Sequence, residues 1–158
     1  MLAKHSTVEP KGWDKAEIKA ENVQLINRIS ELQRILYADG SKSLLLILQG
    51  VDASGKDGTV RRIFSGVNPL GCRVYGFKKP TEEEFAHDFL WRIHKVVPPK
   101  GMIHIFNRSH YEDILVPTVI KSFPKEVIEK RYDQINQFEA LLEASGTKII
   151  KCYLHISK

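Results

Sequence analysis

No apolar run in this chain is long enough to cross a membrane; the longest, residues 44–48, has the length of a strand. The N-terminus has no apolar core of the kind a signal peptide carries. Cysteine is scarce. Cys72 and Cys152 are the only two among 158 residues, and both fall in stretches that read as strands. That spacing excludes a disulfide framework and a zinc site. It reads as two small buried hydrophobes in a reducing compartment, hence a cytoplasmic protein. Arg-rich blocks, zinc-finger spacings and aromatic stacking patterns on strands are all missing, so nucleic acid is not the expected partner. Repeats and low-complexity segments are absent as well.

What remains is an ordinary globular composition, 42% apolar with a net charge of +5. It suits one domain with a real core. The basic balance asks for a polyanionic partner. Much of the charge gathers in particular places: Lys56, Arg61, Arg62, Arg73, Lys78, Lys79, Arg92, Lys95 and Arg108.

The periodicity alternates. Residues 1–13 read as a flexible arm and 14–158 as the core domain. Asp14 and Glu17 resemble a capping box. Ile18, Leu25, Ile29, Leu32 and Leu36 then mark one apolar helix face, stopped at Asp39-Gly40. Strands are expected at 43–49, 72–77, 102–106 and 148–154. Helices are expected at 57–65, 81–96 (opened by the box Thr81-x-x-Glu84), about 109–121 and 124–145. Strands alternating with helices predict an α/β sandwich with a parallel sheet of about four strands. Ligands bind such sheets at the carboxyl ends of the strands.

The first strand runs into Gly50-x4-Gly55-Lys56, the spacing of a P-loop (Walker A). Gly50 and Gly55 allow the turn that aims the N–H groups of Ala53, Ser54 and their neighbours at an anion. The helix N-terminus at Lys56, Asp57 and Gly58 adds partial positive charge. Lys56 would reach the outer phosphates. An ordinary P-loop carries Ser or Thr after the lysine; Asp57 stands there instead. Asp52 places a second carboxylate inside the loop, which makes sense if a divalent cation sits between it and phosphate.

The third strand ends in Asn107-Arg-Ser-His-Tyr-Glu-Asp113. Asn107, Glu112 and Asp113 are candidate metal ligands, and Arg108 is a candidate clamp on a moving phosphoryl group. Asn107 also reads as the cap of a helix starting at Ser109. His110 reads as an acid or base, or as a hydrogen-bonded structural residue. Lys78 and Lys79 follow strand two. On the helix after them, His87 with Trp91 and Asp88 with Arg92 are spaced to touch, and Arg92 is a candidate contact for a long anion.

Taken together, Gly50-Val-Asp-Ala-Ser-Gly-Lys-Asp-Gly58, Phe77-Lys-Lys-Pro80, His87-Asp-Phe-Leu-Trp-Arg92 and Phe106-Asn-Arg-Ser-His-Tyr-Glu-Asp113 resemble the signatures of the polyphosphate kinase 2 family, in that family's order. The third-strand motif is most similar to the branch that phosphorylates both AMP and ADP. The resemblance implies reversible phosphoryl transfer between inorganic polyphosphate and AMP, ADP or ATP, with Mg²⁺ or Mn²⁺. It implies metal at Asp52, supported by Asp113, and stabilisation of the moving group by Lys56 and Arg108. It also implies phosphate contacts at Lys78 and Lys79, and a dimer or tetramer. Family members continue from the last strand into an Arg- and Lys-rich helical lid that this sequence does not contain, so a lidless core with an exposed sheet edge is expected. Two alternatives stay open: a non-catalytic module that binds polyphosphate or nucleotide, and an ATP-dependent nucleoside monophosphate kinase.

Overall fold

The computed structural model describes residues 5–8 and 12–156. Part of the expected arm, at 1–4 and 9–11, lies outside these. Four strands, β1 (Ser43–Gly50), β2 (Cys72–Gly76), β3 (Ile103–Asn107) and β4 (Thr147–Leu154), form one parallel sheet in the order β2-β3-β1-β4. The helices are α1 (Lys15–Asp39), α2 (Lys56–Ile63), α3 (Glu82–Ala86), α4 (Trp91–His94), α5 (Glu112–Ile120) and α6 (Lys125–Ala144). None is long and apolar enough to cross a membrane.

β1 is apolar on both faces because both are covered. Leu45 and Ile47 join Ile93, Phe106, Phe138 and Leu142 in one core. Leu48 lies in the other with Ile103 and Ile105, flanked by Leu44, Leu46, Leu36, Val60 and Phe64. A third cluster, Ile114, Ile128 and Ile135, seats α5 on α6. β1 is central, so its register sets the site: Leu48 pairs with Asn107, and Asn107 with Gly76. Three strand ends therefore open at one level.

Four local expectations are corrected. The helix expected at 81–96 is two short helices. The capping box at Thr81 and Glu84 forms, but His87 is extended and the Asp88 carboxylate accepts from Leu90 N–H, which restarts the chain as α4. Asp88 therefore does not pair with Arg92, although His87 does stack on Trp91 with ring centroids 4.0 Å apart. The apolar face of α1 is only partly used. Leu25 and Leu32 are about half exposed, and the residue α1 buries is Gln33. Asp14 caps that helix through Ala16 N–H. Cys152 is exposed and Cys72 only partly buried, because β4 is an edge strand and β2 the opposite edge. Finally, α5 begins at Glu112, so Asn107 ends β3 and does not cap a helix at Ser109.

Candidate phosphoryl-transfer site

The loop after β1 cannot tolerate a side chain at its first glycine. A Cβ at Gly50 would stand 2.6 Å from Ser54 Oγ and 3.1 Å from the Leu154 carbonyl. Gly55 caps α2 with φ +86°, and Ala53 is also left-handed at +61°. This backbone curls around Lys56. The lysine is buried, and its Nζ donates to Gly50 O (2.9 Å), Val51 O (3.0 Å) and Ser54 Oγ (3.3 Å).

A cavity of about 480 Å³ opens over the loop. It is lined by Asp52, Ala53, Ser54, Gly55, Lys56 and Asp57, by Gly76, Phe77 and Lys78 after β2, and by Asn107 and Arg108 after β3. Charges face each other across it. Arg108 Nη2 meets Asp52 Oδ1 at 2.6 Å, and its Nη1 lies 3.6 Å from Glu112 Oε2. Asn107 Nδ2 donates to Asp57 Oδ1. Arg108 is left-handed, φ +64°, with its N–H bonded to Leu48 O at 3.0 Å. Turned with its oxygen toward Ser109, the Gln49 amide accepts from Ser109 N and Oγ and donates to Glu112 Oε1 at 3.2 Å. Gly58 lies within α2 with open space around it, outside the cavity lining.

A second, larger cavity, about 1370 Å³, adjoins the first at Phe77, Lys78 and Arg108. Lys79, Arg92, Glu112 and Asp113 line it, with Phe85, Phe89, Phe123 and the α5–α6 side chains. Asp113 and Arg92 are brought together here, away from the P-loop. Both are buried; Arg92 Nη2 donates to Asp113 Oδ2 at 2.9 Å and Nη1 to Lys78 O at 2.9 Å. Glu84 lies 3.6 Å from the same guanidinium, and Arg131 donates to Asp113 O. Thus Asp52, Lys56, Asp57, Asn107, Arg108 and Lys78 converge on one cavity, Glu112 reaches it through Arg108, and Asp113 and Arg92 brace its neighbour.

A cluster behind Arg108 holds a residue that the sequence reading passed over. Glu139, buried on α6, accepts from His110 Nε2 (3.2 Å), Tyr111 OH (2.8 Å) and Lys151 Nζ (2.6 Å). Burial pushes its pKa up, but the hydrogen bonds from His110, Lys151 and Tyr111 outweigh that and hold it at about 2. Its sequence signal is a charge at an inward position of α6, between Ile135 and Leu142.

The Polyphosphate kinase 2 (PPK2) family model matches residues 12–158. An AMP/ADP-polyphosphate phosphotransferase of Meiothermus ruber is 52% identical over 93% of this chain and 55% of its own length. An ADP-polyphosphate phosphotransferase of Rhodopseudomonas palustris is 44% identical over 84% of this chain and 50% of its own. The crystal structure of polyphosphate kinase 2 from Arthrobacter aurescens TC1 superposes with a TM-score of 0.94 at 42% identity, covering 99% of this chain and 58% of that one. The chain spans about half the length of the curated relatives it matches. By the family model over residues 12–158, the 52% identity to the Meiothermus ruber protein and the shared fold, the chain belongs to the polyphosphate kinase 2 family.

Proposed function

We propose that this chain carries the phosphoryl-transfer core of a cytoplasmic phosphotransferase that moves a terminal phosphoryl group between inorganic polyphosphate and AMP or ADP. The names of its relatives support the substrates. The observation that carries the reading is the Arg108–Asp52 contact, which sets a phosphate-clamping cation and a carboxylate against each other over a P-loop. In the forward reaction, an anionic oxygen of the acceptor nucleotide attacks the terminal phosphorus of polyphosphate. One P–O bond forms, the anhydride P–O bond breaks, and the shortened polyphosphate leaves with the electron pair. The attacking oxygen is already charged, so no strong base is needed. Lys56 and Arg108 would stabilise the moving group, and Lys78 and Lys79 would hold the phosphates on either side.

The donors fit a hard cation such as Mg²⁺ or Mn²⁺. The Asp52 side chain is 88% exposed. Among the described residues no three acidic, His or Cys side chains converge as a ready-made cage. That suits a cation held by one or two protein oxygens, its shell completed by substrate phosphates and water. Asp52 would hold it, with Asn107 and Glu112 near; it would neutralise charge between donor and acceptor phosphates. Asp113, tied to Arg92, would act from behind Glu112. The exposed apolar side chains Val23, Leu25, Leu32 and Ile35 of α1 support an oligomer.

The test is ATP formation by purified residues 1–158 from polyphosphate, ADP and Mg²⁺, with Asp52→Asn as control. Turnover lost in the control supports the proposal. A folded chain that binds polyphosphate without turnover supports a binding module instead. Preference for ATP over polyphosphate as donor to AMP supports a nucleoside monophosphate kinase.

A further inference from the structure

Glu139 is an expensive residue where it stands. It occupies an inward position of α6 that a leucine would fill, and a buried charge is retained only when its partners compensate its desolvation. Here three donors do so, from two other elements. Tyr111 and His110 come from the turn after β3, Lys151 comes from β4, and α6 supplies the carboxylate. Lys151 also donates to Tyr111 OH at 3.1 Å, which closes the cluster. His110 is fully buried and packs edge-on against Phe106 and Phe138.

Two of the three donors lie between Arg108 and Glu112, in a turn that local preference does not hold. Arg108 sits in the left-handed region, which residues with a Cβ avoid. Such a conformation persists only where its surroundings enforce it. On one side the turn is held by Gln49 through Ser109. On the other the only charged partner of His110 and Tyr111 on α6 is Glu139.

We propose that Glu139 is a positioning residue: through His110 and Tyr111 it locks the turn that aims Arg108 and Glu112 at the cavity. The effect on turnover rests on the proposed function; the lock itself does not. Glu139 touches no substrate and acts only through the turn.

Hydrogen exchange by mass spectrometry on the whole chain tests the lock without any ligand. In Glu139→Gln, which keeps the side chain's size, amides of residues 108–113 should exchange about tenfold faster or more. Those of β1 and β3 should keep their protection. Tyr111→Phe, at a half-buried position, should give a smaller change in the same segment, and it decides the matter should Glu139→Gln fail to fold. Unchanged exchange at 108–113, or equal acceleration throughout the chain, overturns the proposal. With turnover as the readout, Glu139→Gln should lower kcat by about 10- to 100-fold, as lost support of a positioned group does. KM for polyphosphate should stay within about twofold. In an Arg108→Ala background the same change should cost little more; additive losses would show that Glu139 does not act through Arg108. A chain that transfers no phosphoryl group defeats the proposed function, while the exchange result still decides on the lock.

Discussion

Arg108 and Asp52 bond at 2.6 Å across the mouth of the P-loop cavity, from strand ends 56 residues apart in sequence. Each occupies the partner that a bound phosphate and its cation would otherwise take. On the proposed function, ligand binding would exchange this pair for two new ones.

That exchange predicts opposite effects for Asp52→Asn. Without divalent cation the variant should bind polyphosphate several-fold more tightly, because a carboxylate facing the anion is gone and Arg108 is freed. With Mg²⁺ its turnover should fall by about 10²- to 10³-fold, the usual cost of losing one electrostatic group at a reacting centre. Calorimetric titration in chelator, beside an ATP-formation assay, reads both.

Lys56→Ala removes the lysine from its three oxygen acceptors in the loop. Turnover should fall at least about 100-fold, while polyphosphate affinity weakens without vanishing, since Lys78, Lys79 and Arg108 remain. Binding lost altogether would mean that Lys56 organises the loop and not only the moving phosphoryl group.

Stability should fall on the acid side as Glu139 protonates. Its pKa is about 2 in the fold against an ordinary 4.5. A depressed carboxylate contributes stability that is present above 4.5 and lost as pH falls from there toward 2. The shift corresponds to roughly 3 kcal/mol. Urea midpoints at pH 7 and pH 3 should therefore drop less for Glu139→Gln than for the parent chain.

Gln33 gives a prediction of opposite sign. Its amide is buried, with neither nitrogen nor oxygen partnered among the described residues, against Gly71, where a Cβ would stand 1.8 Å from Nε2. Gln33→Leu should stabilise the chain by about 1 kcal/mol, because an unpaired polar group leaves the interior. Gly71→Ala should cost about 1–3 kcal/mol by overpacking the same spot. Urea midpoints again decide; a destabilised Gln33→Leu would mean the amide has a partner, such as a water.

The strands were legible because a buried parallel strand needs an apolar run: 44–48 is one without a break, and 102–106 is broken only by His104. The P-loop was legible because its glycines answer a backbone demand that few sequences meet. The break at His87 was not: the signal is a single Asp88 side chain competing for a backbone N–H, and the period of Phe85, Phe89 and Ile93 continues across it. Nor was the partner of Arg92. The spacing pointed to Asp88 four residues away, while the fold supplies Asp113, 21 residues on. Burial on α1 followed neighbours and not period, so Gln33 went in and Leu32 stayed half out.

The sheet order also sets when the site can exist. β1 carries the P-loop, yet it pairs with β3 and β4, and its first residue meets Thr147, 104 positions later, hydroxyl to hydroxyl at 3.0 Å. Contacts that distant make folding slow. As the chain emerges from the ribosome, the phosphate loop is synthesised well before β4 and has no neighbour on its far side until that strand arrives. Until then it hangs from a half-built sheet with β1 as a bare apolar edge. The interval between Gly50 and Thr147 is thus the period in which the nascent chain most needs shielding from other chains.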